Sequence, residues 1–227
     1  MMVVHVSNRE ATEQIRRAKQ RGLKILGETC PQYLVLTEAD LDGLNMEGAK
    51  KVCSPPPRDF ASQAACWEGL EQGVFSVFSS DHCPFRYDDP QGKLHPKGRT
   101  SFKWIPNGIP GVGARLPILF SEGVMKGRID IHRFVELTST NHARIYGLQG
   151  RKGTIAVGAD ADIAIWDPNA ERILTHDMLS DGSDYTPYEG MALTGWPMTT
   201  LVRGRVIVRN GELVGRKGDG IYIARGL

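Results

Sequence analysis

The sequence predicts an α/β fold in which a parallel sheet is followed by a small β module. Short apolar runs alternate with amphipathic segments over the first ninety residues, a pattern typical of parallel βαβ units. After Gly150 the pattern changes to apolar alternation around turns, including the Asn210-Gly211 pair that is typical of hairpins. The 41% apolar and 24% charged residues are average for a globular chain, which excludes intrinsic disorder.

The individual elements follow from local signals. Strands are expected over residues 2–6, 23–28, 51–54 and 74–80, and β structure in the later part over residues 154–157, 163–166, 200–209 and 212–215. The first helix begins after a cap at Ser7 or Asn8 and ends at Gly22. Further helices are expected at 37–40, 60–72, 115–125 and 132–146. A boundary near residues 147–153 divides the chain into predicted domains 1–149 and 150–227.

Charge and cysteine content narrow the class of protein. The 28 basic and 26 acidic residues leave a net charge of +2, so neither nucleic acid nor an anionic membrane is an expected partner. No apolar run approaches the ~18 residues of a membrane span. Four cysteines without a CxxC spacing favour a reducing compartment, so a cytoplasmic location is expected.

Candidate site residues lie at the carboxyl ends of the predicted parallel strands, where α/β folds place function. These positions are His5, Ser7, Glu28 to Cys30, Cys53, Ser54, Asp81 and His82. A histidine and an aspartate at neighbouring strand ends suit two ligands of a catalytic metal, although no third ligand is evident. The alternatives are a core histidine bonded to a backbone carbonyl and an aspartate that caps the next loop.

Three other groups of residues favour structural interpretations. The four cysteines are expected to be buried and inert rather than nucleophilic. The long loop 85–113 is of a length that is usually functional, but its basic residues are expected to be solvated because Asp88 and Asp89 offset them. Those basic residues are Arg86, Lys93, Lys97, Arg99 and Lys103. His132 and His142 fall within predicted helices and are expected to be structural or surface residues.

Eight ordered motifs resemble the D-hydantoinase/dihydropyrimidinase family of metal-dependent amidohydrolases, and the resemblance spans essentially the whole chain. They are VVHVS (3–7), GETCPQYL (27–34), KVCSPP (51–56), SSDHCPF (79–85), IPNGIPG (105–111), RFVELTSTN (133–141), RKGTIAVGADADIAIWDP (151–168) and PYEGMALTGWP (187–197). The resemblance corresponds to the C-terminal half of such an enzyme. Four strands cannot close an eight-stranded barrel, and the chain opens on a strand, so a piece of a larger protein is expected.

The resemblance implies the C-terminal part of a (β/α)8 TIM-like barrel followed by a portion of a β-sandwich. On that template residues 3–6 are barrel strand six, 52–54 strand seven and 75–80 strand eight. The residues after 150 are the C-terminal share of the sandwich.

The resemblance also implies roles for four residues. His5 matches a histidine that binds one zinc, and Asp81 matches the aspartate that binds the other zinc and acts as general base and then acid. Ser54 and Asn107 match residues whose backbone groups hold the substrate's imide. The other ligands of the two zinc ions, including a carboxylated lysine, have no counterpart in this chain.

The implied activity is the hydrolysis of cyclic amides and imides (hydantoins and dihydropyrimidines) to N-carbamoyl amino acids, as in pyrimidine catabolism, by a homo-oligomer that is tetrameric in the family. Gln32 favours the hydantoinase branch over allantoinase-type or dihydroorotase-type hydrolases, which stay as alternatives. A non-catalytic interaction protein that resembles the collapsin response mediators is a second alternative. The isolated chain is expected to be inactive.

Overall fold

The chain groups into two compact units in a computed structural model that describes residues 1–225. The first unit comprises Met1–Ile118 and Ile173–Met191, and the second comprises Leu119–Arg172 and the residues from Ala192 onward. The predicted boundary between residues 149 and 150 stays a prediction. None of the helices within residues 1–225 has the length and hydrophobicity that a transmembrane span needs.

A parallel sheet lies at the centre of the first unit. Its strands are β1 (Met2–Val3), β2 (Leu26–Thr29) and β3 (Val77–Phe78), in the order β1-β2-β3. Met2 pairs with Leu26, and Glu28 pairs with Val77. The predicted parallel α/β arrangement is therefore confirmed, although the strands are shorter than expected.

The helices of this unit begin where side chains cap them. Asn8 caps α1 (Arg9–Gln20), because its Oδ1 accepts a hydrogen bond from the Ala11 N–H at 3.0 Å. Asp59 caps α3 (Phe60–Glu71) in the same way through the Ser62 N–H at 2.8 Å. Helix α2 (Gln32–Val35) is a single turn whose residues Tyr33 and Leu34 are fully buried. Short 3₁₀ helices cover Glu38–Leu41, Leu44–Lys51, Pro96–Arg99, Phe102–Trp104 and His176–Met178.

The predicted strand at residues 51–54, assigned to barrel strand seven by resemblance, is wrong. The 3₁₀ helix Leu44–Lys51 runs into this segment, and β2 lies between β1 and β3 instead. The Val52 carbonyl accepts from the Gly108 N–H at 3.2 Å and from Lys93 Nζ at 2.7 Å, both outside the sheet. Pro55–Pro57 follow, and prolines have no N–H to donate to a sheet.

The two helical segments expected within residues 115–146 each combine α-helical and π-helical turns. Helix α4 (Arg115–Leu119) continues as a π-helical segment, Phe120–Met125. Helix α5 (Ile131–Val135) continues through the π-helical Glu136–Thr140 into α6 (Asn141–Ile145). Both predicted helices are therefore confirmed in their location.

The second sheet has the order β4-β5-β6-β7. Its strands are β4 (Ile163–Ile173), β5 (Ala192–Val202), β6 (Arg205–Arg209) and β7 (Glu212–Leu213), and the last two pairs are antiparallel. The Asn210-Gly211 hairpin is confirmed between β6 and β7, with both residues at positive φ. The expected strand at 154–157 is wrong, because Ile155 and Val157 are exposed and have no strand partner among the described residues.

An aromatic cluster occupies the core of the second unit. The rings of Phe120 and Trp166 stack with centroids 4.7 Å apart, and Phe134 meets both rings edge-on. Gly195 lies against this cluster at φ +90°, where a Cβ atom would come within 2.3 Å of the Phe120 ring. The position requires glycine for both space and backbone conformation.

Candidate active site

The carboxyl ends of β1, β2 and β3 meet at one edge of the parallel sheet, and two candidate residues follow the outer strands. The Val6 N–H donates to the Glu28 carbonyl at 2.8 Å, and the Ser79 N–H donates to the Thr29 carbonyl at 3.1 Å. Pairing therefore continues beyond the assigned strands toward His5 and Asp81.

His5 and Asp81 share an uncommon backbone conformation. Their φ angles are +40° and +46°, in the left-handed region that residues other than glycine seldom adopt. The His5 N–H lies 3.4 Å from the Glu28 carboxylate, which is buried at the same edge. Such strained residues cluster at functional sites, where the surrounding structure holds them in place. The shared strain supports a functional interpretation of both positions.

Two metal-ligating side chains do not by themselves complete a metal site. Imidazole nitrogen and carboxylate oxygen are both suitable donors to zinc. Within residues 1–225, however, no group of three or more His, Cys, Asp or Glu is placed to hold a metal ion. His5 and Asp81 are thus two side chains with suitable donor atoms and do not form a metal site by themselves.

Ser54 and Asn107 line one cavity, as expected for two residues that hold the same ligand. The cavity has a volume of about 670 Å³, and both residues are exposed at its surface. Much of the remaining lining is apolar, namely Leu41, Met46, Ala49, Val52, Phe102 and Ile105. A polar pair in a mainly apolar cavity is typical of small-molecule sites.

Lys93 is buried, and its predicted position in solvent is wrong. The side chain is 0% exposed, and Nζ donates to the carbonyls of Val52 and Pro106, each at 2.7 Å. Burial lowers the pKa of the Lys93 ammonium to about 8. The other four basic residues of the loop are exposed as predicted. No local signal distinguishes Lys93 from them, because its acceptors lie on distant parts of the chain.

His82 is partly buried and accepts hydrogen bonds from backbone N–H groups through its ring. Its Nδ1 accepts from the N–H groups of Gly111 and Val112 at 3.1 and 3.3 Å. The neighbouring Cys83 N–H donates to the Ile109 carbonyl at 3.1 Å. These bonds join the segment that carries Asp81 to the segment that follows Asn107.

The buried cysteines are inert, as predicted. Burial raises the pKa of the Cys66 thiol to about 11 and that of Cys53 to about 12, and it raises the pKa of Cys30 further. All three are therefore protonated at neutral pH. Cys83 is exposed, so the prediction that all four cysteines are buried is wrong for this residue.

The arrangement can support hydrolytic chemistry at an accessible edge of the sheet. Asp81 is only partly buried, so its side chain is accessible from solvent. Ser54 and Asn107 contribute exposed polar groups on the wall of the cavity. The structure thus offers a solvent-accessible carboxylate at Asp81 and, separately, a cavity wall with two polar residues.

Comparison with known proteins gives a consistent pattern. The profile of the Amidohydrolase family matches residues 4–207. The chain is 47% identical over 225 residues to the D-hydantoinase of Geobacillus stearothermophilus, which covers 99% of this chain and 47% of that protein. It is 40% identical over 225 residues to the D-phenylhydantoinase of Escherichia coli, again over 99% of this chain and 48% of the relative.

Solved structures show the same relationship in three dimensions. The dihydropyrimidinase of Brevibacillus agri superposes with a TM-score of 0.94 at 44% identity, covering 99% of this chain and 48% of that one. The L-hydantoinase of Arthrobacter aurescens superposes with a TM-score of 0.89 at 32% identity, over 99% and 48% of the two chains. The chain thus spans about half the length of the relatives that it matches.

Proposed function

The chain belongs to the amidohydrolase family, its lineage is that of the cyclic amidohydrolases, and we propose that it takes part in opening cyclic amides and imides by hydrolysis. The substrates are hydantoins or dihydropyrimidines, and the products are N-carbamoyl amino acids. The observation that carries the proposal is the shared strain of His5 and Asp81 at one edge of the parallel sheet. The cavity that Ser54 and Asn107 line supplies a binding wall for a small ring.

Asp81 is the proton carrier in this proposal. Its carboxylate accepts a proton from the attacking water and delivers it to the ring nitrogen as the amide bond breaks. Proton transfer by a positioned carboxylate accelerates such steps typically ~10²–10⁴-fold.

His5 and Asp81 would also hold metal, and we propose zinc, with two ions in the complete site. A bound zinc supplies hydroxide at neutral pH, because it lowers the pKa of its water to about 7. The remaining ligands, including a carboxylated lysine, belong to residues outside this chain in the proposal.

Ser54 and Asn107 bind the substrate through backbone groups. A planar imide presents alternating carbonyl and N–H groups at fixed spacing, and backbone N–H and C=O groups match such a pattern without loss of side-chain entropy. The apolar remainder of the cavity suits the hydrocarbon part of the ring. The same proposal includes a cytoplasmic homo-oligomer, tetrameric in its complete form.

A fusion tests the proposed activity. The N-terminal portion of the Geobacillus stearothermophilus D-hydantoinase, which this chain does not cover, is joined to the chain and assayed with hydantoin and dihydrouracil by chromatography of the carbamoyl product. Asp81→Asn should lower kcat by at least about 10²-fold. The matched control Ser54→Ala should lower kcat/KM by less than about tenfold, or about 1.4 kcal/mol, because the backbone groups persist.

Two results would count against the proposal. A folded fusion with the metal content of the parent enzyme that hydrolyses neither ring would refute the activity. Equal losses in the two variants would refute the assignment of backbone binding to Ser54.

A further inference from the structure

We propose that Lys93 is a positioning residue, which fixes the segments carrying Ser54 and Asn107 at the separation and orientation that a cyclic imide requires. The inference rests on the proposed function and adds a residue to it. Lys93 contacts neither Ser54 nor Asn107 directly in this proposal. It acts through the carbonyls of Val52 and Pro106, two bonds that join segments more than fifty residues apart in sequence.

The two hydrogen bonds form a bridge between the walls of the cavity. Val52 and Ile105 line the same cavity as Ser54 and Asn107, so the bridge lies directly behind the proposed binding wall. Both distances are 2.7 Å, which is the short range of charge-assisted bonds. The ammonium also lies over the Phe85 ring, whose centroid is 5.9 Å from Nζ. The bridge therefore also reaches the segment that carries Asp81.

The orientation of the Asn107 carbonyl follows from this bridge. The Gly108 N–H donates to the Val52 carbonyl at 3.2 Å, and that carbonyl is the one that Lys93 holds. The Asn107 carbonyl and the Gly108 N–H belong to one planar trans peptide, so they point in opposite directions. Fixing the N–H toward Val52 therefore fixes the carbonyl of Asn107 on the other side. Lys93 thus sets the orientation of the Asn107 carbonyl, the proposed acceptor for the imide, through the Val52 carbonyl.

Lys93 is itself held from the opposite side. Its N–H donates to the Arg86 carbonyl at 2.9 Å, and a Cβ atom on the preceding Gly92 would lie 2.1 Å from the same carbonyl. The Asp184 carboxylate accepts from the N–H groups of Tyr87 and Asp88 at 2.7 and 3.0 Å. The base of the lysine side chain is thus anchored, and its ammonium can determine where the two cavity segments lie.

The buried charge distinguishes a positioning role from simple packing. An ammonium without exposure is unfavourable unless its hydrogen bonds are satisfied, and an apolar side chain of similar length would fill the same space. What an apolar side chain cannot do is hold two carbonyls at one point. Lys93→Met removes that function and keeps the volume, while Lys97→Met in the same loop removes an exposed charge as the matched control.

Hydrogen exchange in the 227-residue chain gives the first test. Nuclear magnetic resonance should show the Gly108 amide exchanging at least about tenfold faster in Lys93→Met, which corresponds to about 1.4 kcal/mol. The Ser76 amide, which donates to Gly27 in the sheet, should be unchanged, and Lys97→Met should resemble the wild type at both amides. Lys93→Gln has a shorter, uncharged side chain whose NH2 group still offers two N–H donors. Its Gly108 exchange rate should therefore lie between those of the wild type and Lys93→Met, and it replaces the methionine variant should that one fail to fold. An unchanged Gly108 amide in both Lys93 variants would overturn the proposal.

Kinetics of the fusion described above give the second test. Lys93→Met should raise KM for hydantoin by about tenfold or more, with a smaller fall in kcat and an unchanged metal content, because a misplaced binding wall costs mainly substrate binding. Faster exchange with an unchanged KM would overturn the link between Lys93 and substrate. Failure of the wild-type fusion to hydrolyse either ring would refute the proposed function instead, which the exchange experiment alone does not address.

Discussion

Replacement of Lys93 by methionine should change how the stability of the chain depends on pH. In the folded chain the pKa of Lys93 is lowered by burial to about 8, and in the unfolded chain it returns to its ordinary value of 10.5. Between these values the unfolded state binds more protons than the folded state, so stability rises with pH. The contribution is fully present above about pH 10.5 and is lost as the pH falls to 8. A methionine has no proton to lose, so the variant lacks this dependence.

The magnitude follows from the two pKa values. Each pH unit between them corresponds to about 1.4 kcal/mol, so the interval from pH 8 to pH 10.5 corresponds to about 3 kcal/mol. At pH 7 the variant loses two charge-assisted hydrogen bonds, but it also loses the cost of a buried ammonium, and these effects largely offset each other. The difference in unfolding free energy between wild type and variant should therefore be small at pH 7 and grow by about 3 kcal/mol toward pH 10.5.

Urea unfolding at intervals of half a pH unit from 7 to 10.5 measures this difference. Both proteins carry Cys83→Ser, so that the exposed thiol near Lys93 does not contribute, while the Cys53 thiol stays protonated because its pKa is raised to about 12. Lys97→Met should run parallel to the wild type over the whole range. If the Lys93→Met curve also ran parallel to the wild type, the buried, desolvated state of this lysine would be disproved.

Three further predictions address the rest of the chain. Gly195→Ala should destabilise the second unit by about 2–4 kcal/mol, because the methyl group meets the Phe120 ring and the φ of +90° is unfavourable for alanine. The control is Gly218→Ala, which has a similar φ of +93° but open space around it. Equal melting temperatures for the two variants would contradict the steric argument. The chain alone should lose zinc on dialysis against a mild chelator, because His5 and Asp81 fall short of three protein ligands. Stoichiometric zinc after dialysis would show that the chain contains a further ligand. Light scattering on size-exclusion fractions should show self-association through β1, next to which Val4 is exposed. Val4→Lys should weaken this association. A monodisperse monomer of 25.0 kDa would refute the prediction.

The sequence by itself determined the features whose causes are local. Asn8 caps its helix through a residue three positions away, and the Asn210-Gly211 turn depends on two residues that tolerate positive φ. Alternation of apolar runs and helices was enough to predict a parallel sheet, since the crossover geometry leaves few alternatives. His5 and Asp81 became candidates because strand ends can be located from the sequence and because the ordered motifs resemble a family.

Tertiary structure decided the features that depend on partners far along the chain. Residues 51–54 (KVCS) were expected to form a strand, yet the Val52 carbonyl bonds to Lys93 and Gly108 rather than to a strand. Lys93 and the exposed Lys97 lie four residues apart in the same loop, and the burial of Lys93 follows from where the 51–54 and 105–108 segments meet. The charge of a lysine predicts that its burial is energetically unfavourable, but the sequence does not locate the two carbonyls whose hydrogen bonds offset this unfavourable free energy. That pairing exists only once the chain has folded.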